Sequence, residues 1–370
     1  MKRAKLPSAL GYRMPAEWEP HAATWLAWPH EPADWPGKLA PIPWVYGEVV
    51  RHLAPGERVR ILVNDAATEK KARGLLSRVG VDLAQVDFHR MATDRSWTRD
   101  FCPLFVKSDA GQVAMTNWKF NGWAKYANHK RDAAVGAGLA RRLGALSWTP
   151  TVDADPGASR RVVLEGGSID VNGKGTLLTT EECLLSPIQA RNPGVSREAL
   201  ERVLGAYLGI RKVLWLGNGI AGDDTHGHVD DLARFVDETT VVIAAENDPG
   251  DDNFANLADN RARLRRMTTA DGQPLRVIDL PMPAPVRLDG VRLPASYANF
   301  YIGNTAVLVP TFNDANDRRA LQILAELFPG RQVVGIHAVD LVWGLGTLHC
   351  MTQQEPAGGA RATSTPSRRR

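Results

Sequence analysis

Val59-Arg60-Ile61-Leu62-Val63, then Asn64-Asp65, then a run with helix-forming composition over 66–80 that closes on Gly80, then Val81 to Arg90: this passage decides the fold class. The apolar β-branched runs predict strands, and Pro55-Gly56 and Asn64-Asp65 bound the first one as turns. Gly80 is a natural helix terminator. Strand, helix and strand in that order imply an α/β protein. The order recurs along the chain. Thr24-Trp25-Leu26-Ala27-Trp28 reads as a buried strand. Helix 196–207 precedes Val213-Leu214-Trp215-Leu216. The strand Thr239 to Ala245 leads through an Asn/Asp/Gly-rich loop, 246–253, to helix 256–266 and then Arg276-Val277-Ile278. Tyr301 to Pro310 contains a strand, followed by helix 314–328 and strand Gln332 to Ile336.

Composition narrows the function classes. The chain has 370 residues, 44% of them hydrophobic, enough for a large core. No apolar run approaches the length of a membrane span, and the basic N-terminus is not followed by the apolar stretch of a secretory signal. Three widely spaced cysteines, Cys102, Cys183 and Cys350, argue against a disulfide framework and fit a reducing cytoplasm. The net charge of +4 resides at the ends: Lys2, Arg3 and Lys5 at one, Arg361, Arg368, Arg369 and Arg370 at the other. The body between them is slightly acidic, so no nucleic-acid or membrane partner is expected. We expect a flexible N-terminus over 1–13, a single catalytic domain over 14–355 and a disordered basic tail over 356–370. Five tryptophans between residues 14 and 45 suggest core or a pocket rim.

The chemistry concentrates in short motifs. Cys350 lies in Trp343-Gly344-Leu345-Gly346-Thr347-Leu348-His349-Cys350. Alone, such a cysteine is either a nucleophile or a buried thiol that packs as a small hydrophobe. Three further motifs offer partners: Trp97-Thr98-Arg99-Asp100, Glu165-Gly166-Gly167-Ser168, and the acidic run Asp223 to Asp231 with His226 and His228. That run admits three readings: a metal site built from His226, His228 and Asp230, a solvated turn, or catalysis. A glycine-flanked cysteine elsewhere shifts the balance to catalysis. Carboxylates at Asp100, Glu165 and Asp230 suit a planar cation gripped in bidentate fashion. A thiolate suits attack on its electron-poor carbon, and His228 suits proton transfer. The reaction class is hydrolysis at a guanidinium carbon. Cys102, Cys183 and His349 read as structural.

The motifs are spaced by 65, 63, 71 and 51 residues from Asp100 through Glu165, His228 and Asn299 to Cys350. About five repeated modules with one loop each at a common axis would give such spacing; a doubly wound sheet is the competing architecture.

The motifs together resemble the agmatine deiminase family, within the guanidino-modifying enzymes that also include the Porphyromonas-type peptidylarginine deiminases. The resemblance runs from Met14-Pro15-Ala16-Glu17-Trp18 to Thr352-Gln353-Gln354. It also takes in Trp118-Lys119-Phe120-Asn121-Gly122-Trp123, Thr225-His226-Gly227-His228-Val229-Asp230 and Ser296-Tyr297-Ala298-Asn299-Phe300-Tyr301. It implies a five-bladed α/β propeller (pentein) of pseudo-fivefold ββαβ modules, with the active site on the axis and no metal or organic cofactor. It implies Cys350 as nucleophile, His228 as acid and base, Asp100 and Asp230 as the grip on the guanidinium, and Glu165 as acidic partner. The product would be N-carbamoylputrescine with ammonia, on the way to putrescine. Trp97 is expected to wall the substrate's methylenes, Asp94 and Asp224 to meet a distal ammonium, and Gly346 to line the same site. This chain departs from the family in Gly344-Leu345-Gly346-Thr347, Asp224-Thr225-His226 and Trp123-Ala124-Lys125-Tyr126. These loops bear on the tail of the substrate, so peptidyl or free arginine remain as alternatives, with a silent amine-binding protein more remote. The expected partner is a small cationic guanidine, and a homodimer is left open.

Overall fold

In a computed structural model, described here for residues 5–155 and 158–359, the α/β expectation holds, but the strands do not form one doubly wound sheet. They divide among five mixed sheets and two short hairpins. Each mixed sheet carries an antiparallel pair followed by a parallel pair. Asp170–Val171 pairs antiparallel with Thr176–Thr180, which pairs parallel with Lys212–Leu216. Ala233–Phe235, Thr240–Ala245 and Arg276–Pro281 repeat the pattern, as do Tyr301–Ile302, Ala306–Thr311 and Gln332–His337. Leu104–Ser108, Val113–Thr116 and Ser147–Trp148 do the same, with Tyr12–Arg13 added at the edge. The fifth sheet joins the two ends of the domain: Gln353–Pro356 lies antiparallel to His21–Ala27, which leads in parallel to Arg58–Val63 and Val86–Arg90.

Helices make the parallel crossovers, as parallel pairs require. Ala66–Arg78 links two strands of the fifth sheet; Asp65 caps it, its carboxylate accepting from the Thr68 amide at 2.7 Å. Arg197–Leu208, Phe254–Leu264 and Asp317–Leu327 connect the later pairs. Ile42–Leu53 and Asp132–Leu143 complete the set. Strands covered on both faces read as unbroken apolar runs: all six residues of Thr240–Ala245 are buried.

Several boundaries differ from expectation. The flexible N-terminus does not reach residue 13, because Tyr12 is buried and pairs with Ser108, while Ser8–Leu10 forms a helical turn. Pro356 is likewise a buried strand residue, so the tail does not begin there; residues 1–4 and 360–370 lie outside the described residues. The strand expected over Val81–Arg90 shortens to Val86–Arg90, since Leu83–Gln85 coils into a 3-10 turn behind an Asp82 cap. Trp25 and Trp35 are fully buried, but Trp44 is 46% exposed on helix Ile42–Leu53.

The sheets place the motifs. Each of the five begins just after a loop that carries one. Asp100 precedes Leu104–Ser108, Glu165 precedes Asp170–Val171, and His228 and Asp230 precede Ala233–Phe235. Asn299 precedes Tyr301–Ile302, and Cys350 precedes Gln353–Pro356. The motif spacing seen in the sequence is thus the spacing of the sheets.

Candidate active site

Three of these loops are single tight turns: Thr98–Phe101, Gly166–Ser168 and Val229–Asp231. They project Asp100, Glu165 and Asp230 from the backbone in a fixed direction. Trp97-Thr98-Arg99-Asp100 divides its labour. The Thr98 hydroxyl donates to the Met351 carbonyl at 2.7 Å, and the Arg99 amide donates to the Cys350 carbonyl at 3.1 Å, so this turn is tied to the cysteine loop. Asp100 is left to face the site.

Asn299 anchors the cysteine loop. Its Oδ1 accepts from the Thr347 hydroxyl at 2.7 Å and the His349 amide at 3.0 Å. Its Nδ2 donates to Asp231 at 2.9 Å and to Cys350 Sγ at 3.1 Å. On its other side, the thiol faces Asp230 Oδ2 at 3.6 Å. Burial and the charges of Asp230, Asp231 and Asp100 push the thiol well above its usual range. A cation entering among those carboxylates would reverse that balance.

Asp100 is held by the Trp123 indole at 2.8 Å and the Gly167 amide at 3.0 Å. Burial lifts its carboxyl to about 6, with Asp230 and Glu165 adding to the rise and His228 opposing it. Glu165 goes the other way. Burial pushes it up, but Arg191, whose Nε lies 3.1 Å away, and His228 outweigh that and hold it at about 2. His228 sits among all three acids, with Nδ1 3.9 Å from both Asp100 and Asp230 and Nε2 3.8 Å from Glu165. Burial pushes the ring down, yet Asp100, the Cys183 thiol and Glu165 raise it well above its ordinary value. Neither of its nitrogens has a hydrogen-bond partner among the described residues, nor has Asp230 Oδ1, and all three atoms are buried. Unpaired polar atoms at such depth are costly unless a ligand completes them.

Of these groups Asp100 and Cys350 line a cavity of about 170 Å³ together with Trp97, Trp123 and Gly346, with Asp34, Arg95, Tyr126 and Asp224 also on its walls. Trp97 stacks at 5.3 Å on the buried Trp35 and forms an apolar wall. Gly344 and Gly346 lie under the Trp97 ring; a Cβ at Gly346 would stand 2.9 Å from Cζ3 of Trp97 and 3.3 Å from the sulfur. Leu345 between them takes a left-handed φ of 66°, which bends the loop over the thiol.

The structure therefore brings together Cys350, His228, Asp230, Asp100, Glu165, Trp97 and Gly346. Asp224 lines the cavity, but Lys125 and the Tyr126 hydroxyl already engage its carboxylate. Asp94 is absent from the lining: it accepts from the Arg131 amide at 2.8 Å at the start of helix Asp132–Leu143. A capping carboxylate satisfies orphan helix amides, and sequence cannot tell that role from a pocket role. Two charged wall residues escaped the sequence reading: Asp34, paired with Arg95, and Arg95 itself, over the Tyr126 ring at 4.3 Å. Buried Asp34 Oδ2 has no partner among the described residues. The one available signal was a charged residue inside a tryptophan-rich stretch.

The metal reading of His226-x-His228-x-Asp230 is not what the fold assembles. His226, in a left-handed turn with φ of 62°, points to Ser186 at 3.2 Å and to Glu182. The groups that do cluster as donors are Glu165 with Cys183 and His228, and Asp230 with Asp231 and Cys350. In the first, Arg191 already supplies the positive charge. Cys183 is accordingly more than packing, since its thiol adjoins His228.

Comparison with known proteins gives the family of the chain. Residues 13–356 match the family model of the Porphyromonas-type peptidyl-arginine deiminases. The chain belongs to that family. Among the relatives in this deiminase family, an agmatine deiminase of Stutzerimonas stutzeri is 37% identical across 95% of this chain and 97% of its own. One from Pseudomonas fluorescens is 35% identical across 95% and 97%. Among solved structures, the agmatine deiminase of Enterococcus faecalis aligns with a TM-score of 0.86 at 33% identity, covering 96% of this chain and 98% of that one. A C. jejuni agmatine deiminase variant with substrate bound aligns at 0.82 and 28% identity, over 95% and 97%.

Proposed function

We propose that this protein hydrolyses agmatine to N-carbamoylputrescine and ammonia, in the cytoplasm, as a step towards putrescine. The observation that carries the chemistry is a cavity that reaches the Cys350 thiol and Asp100, beside which Asp230 Oδ1 and both ring nitrogens of His228 lie buried without a hydrogen-bond partner among the described residues. The family relationship carries the choice of agmatine.

Asp100 and Asp230 hold the guanidinium so that its carbon lies against the sulfur. The incoming charge offsets the carboxylates that keep the thiol protonated, and the thiol loses its proton to solvent. The thiolate adds to the carbon. His228, protonated in the resting site, gives its proton to one nitrogen; the carbon–nitrogen bond breaks and ammonia leaves. The substrate is now an alkylthiouronium on Cys350. Water then gives a proton to His228 and adds to the same carbon. The added oxygen gives its remaining proton to solvent as the carbon–sulfur bond breaks, the ureido product departs and the thiolate is restored. Glu165, anchored by Arg191, keeps His228 charged at the start of each cycle.

The methylenes run along the wall that Trp97 and the glycine loop form together. The distal ammonium reaches the wall where Asp34 and Asp224 lie. We assign the five mixed sheets to the blades of a propeller whose axis passes through the site, because each sheet contributes one loop to it. The deciding experiment is ammonia release from agmatine, free arginine and an internal peptidyl arginine. The absence of turnover with all three would sink the deiminase reading.

A further inference from the structure

His349 is buried, and each ring nitrogen faces a carboxylate. Nδ1 is 2.7 Å from Asp230 Oδ2, and Nε2 is 2.8 Å from Glu17 Oε2. A neutral imidazole has one N–H and one bare lone pair. Either tautomer would press that lone pair against a carboxylate oxygen. Protonation of Glu17 does not relieve the conflict, because Glu17 is ringed by donors. Its Oε1 accepts from Arg234 and from the Ile302 amide, both at 2.9 Å, and its Oε2 accepts from Arg99 at 3.1 Å. On the other side, Asp230 Oδ2 is the oxygen that the Cys350 thiol faces, while Oδ1 is buried with no hydrogen-bond partner among the described residues.

We infer that His349 is a buried imidazolium that holds Asp230 charged and oriented, occupying Oδ2 so that Oδ1 is presented to the substrate guanidinium. It is a positioning residue and does not touch the substrate. What Oδ1 is presented to rests on the deiminase reading; the state of the ring does not. The signs alternate along the buried row of Arg99 and Arg234, Glu17, His349 and Asp230, which is how charges are tolerated away from water. Burial drives Asp230 upward, and the His349 bond and charge bring it below its ordinary value. Glu17 completes the device. A second carboxylate on its outer face favours the positive ring over transfer of its proton to Asp230. The Pro15-Ala16-Glu17-Trp18 motif, remote in sequence from the chemistry, thereby acts on it.

Nitrogen-15 NMR of histidine-labelled wild-type protein should show both His349 nitrogens protonated between pH 6 and 8; a single-N–H tautomer there would overturn the inference. His349→Asn and Glu17→Gln should each move the acid limb of kcat/KM for agmatine upward by about one pH unit, a loss of about tenfold on the acid side of the profile. The loss should fall more on KM than on kcat. An unmoved limb in both variants, with only a lower melting temperature, would mean a purely structural role. Should His349→Asn fail to fold, Glu17→Gln and the NMR measurement decide. Lack of agmatine turnover by the wild type would defeat the deiminase reading, while the NMR result would still report on His349.

Discussion

At the scale of single residues, Cys350→Ser should abolish ammonia release while the protein stays folded, because a serine hydroxyl in this site ionises far less readily than a thiol. Near wild-type turnover by the serine variant, measured with an ammonia-coupled assay, would exclude the covalent route. Asp100→Asn and Asp230→Asn each remove a charge from a buried cation site. Such losses cost about 2–5 kcal/mol, so kcat/KM should drop by tens to thousands of fold; a twofold effect would place that residue outside contact with the substrate. Asp100 also sets a pH dependence. Its carboxyl is held up to about 6, chiefly by burial. Above that pH it is charged and grips the guanidinium; below it the charge is lost. The expected profile of kcat/KM therefore declines as pH falls through about 6, and Asp100→Asn should lack that limb. A limb that persists unchanged in the variant would have to belong to another group.

At the scale of elements, the turns matter more than the strands they introduce. A Cβ on Gly167 would stand 2.6 Å from His228 Nδ1 and 3.0 Å from the carboxylates of Asp100 and Asp230. Gly167→Ala should therefore cost most of the activity, since His228 and both carboxylates must shift to admit the methyl. Gly74 provides the contrast. It lies exposed within helix Ala66–Arg78 and would meet nothing within 4 Å. Gly74→Ala should stabilise the protein by about 0.5–1 kcal/mol, read by urea denaturation, at unchanged kcat/KM. If the two alanines behaved alike, the close packing around Gly167 would not be functional. Helices and strands of the later sheets were legible from periodicity because their apolar runs are long. Helices Ile42–Leu53 and Asp132–Leu143 were not. The first opens with Pro41-Ile42-Pro43, which reads as a turn although proline is accepted in a first helical turn. The second holds Gly136 and Gly138, which lower its helix signal.

At the scale of the whole molecule, specificity and cofactor use become testable. The cavity wall away from Cys350 carries Asp34 and Asp224 against Arg95 and Lys125. Both acids are paired, and only the buried Oδ2 of Asp34 is unpartnered among the described residues. An ammonium tail completes that oxygen, whereas an added α-carboxylate would meet two acids. Agmatine should thus exceed arginine in kcat/KM by at least about tenfold, roughly 1.4 kcal/mol. A preference for arginine would show instead that Arg95 recognises the tail. Activity should also survive exhaustive chelation, because each proposed step is assigned to a side chain. Loss on chelation, restored by zinc or manganese, would transfer Glu165, Cys183 and His228 to a metal site.

The amino-acid sequence by itself determined the α/β class, the motif order and which groups were available for the proposed chemistry. Those are local properties: β-branched runs make strands, glycines make turns, and a thiol, an imidazole and three carboxylates retain their chemistry wherever they lie. Only the tertiary structure decided which acids face the site. Asp94, Asp224 and Asp34 are alike in sequence, yet one caps a helix, one is engaged by Lys125 and Tyr126, and one has a free oxygen in the cavity wall. The same holds for Glu17 and His349, separated by 332 residues and joined at 2.8 Å. Charge and burial act through space, and that space exists only when Gln353–Pro356 returns to pair with His21–Ala27 and closes the two ends of the domain onto one sheet.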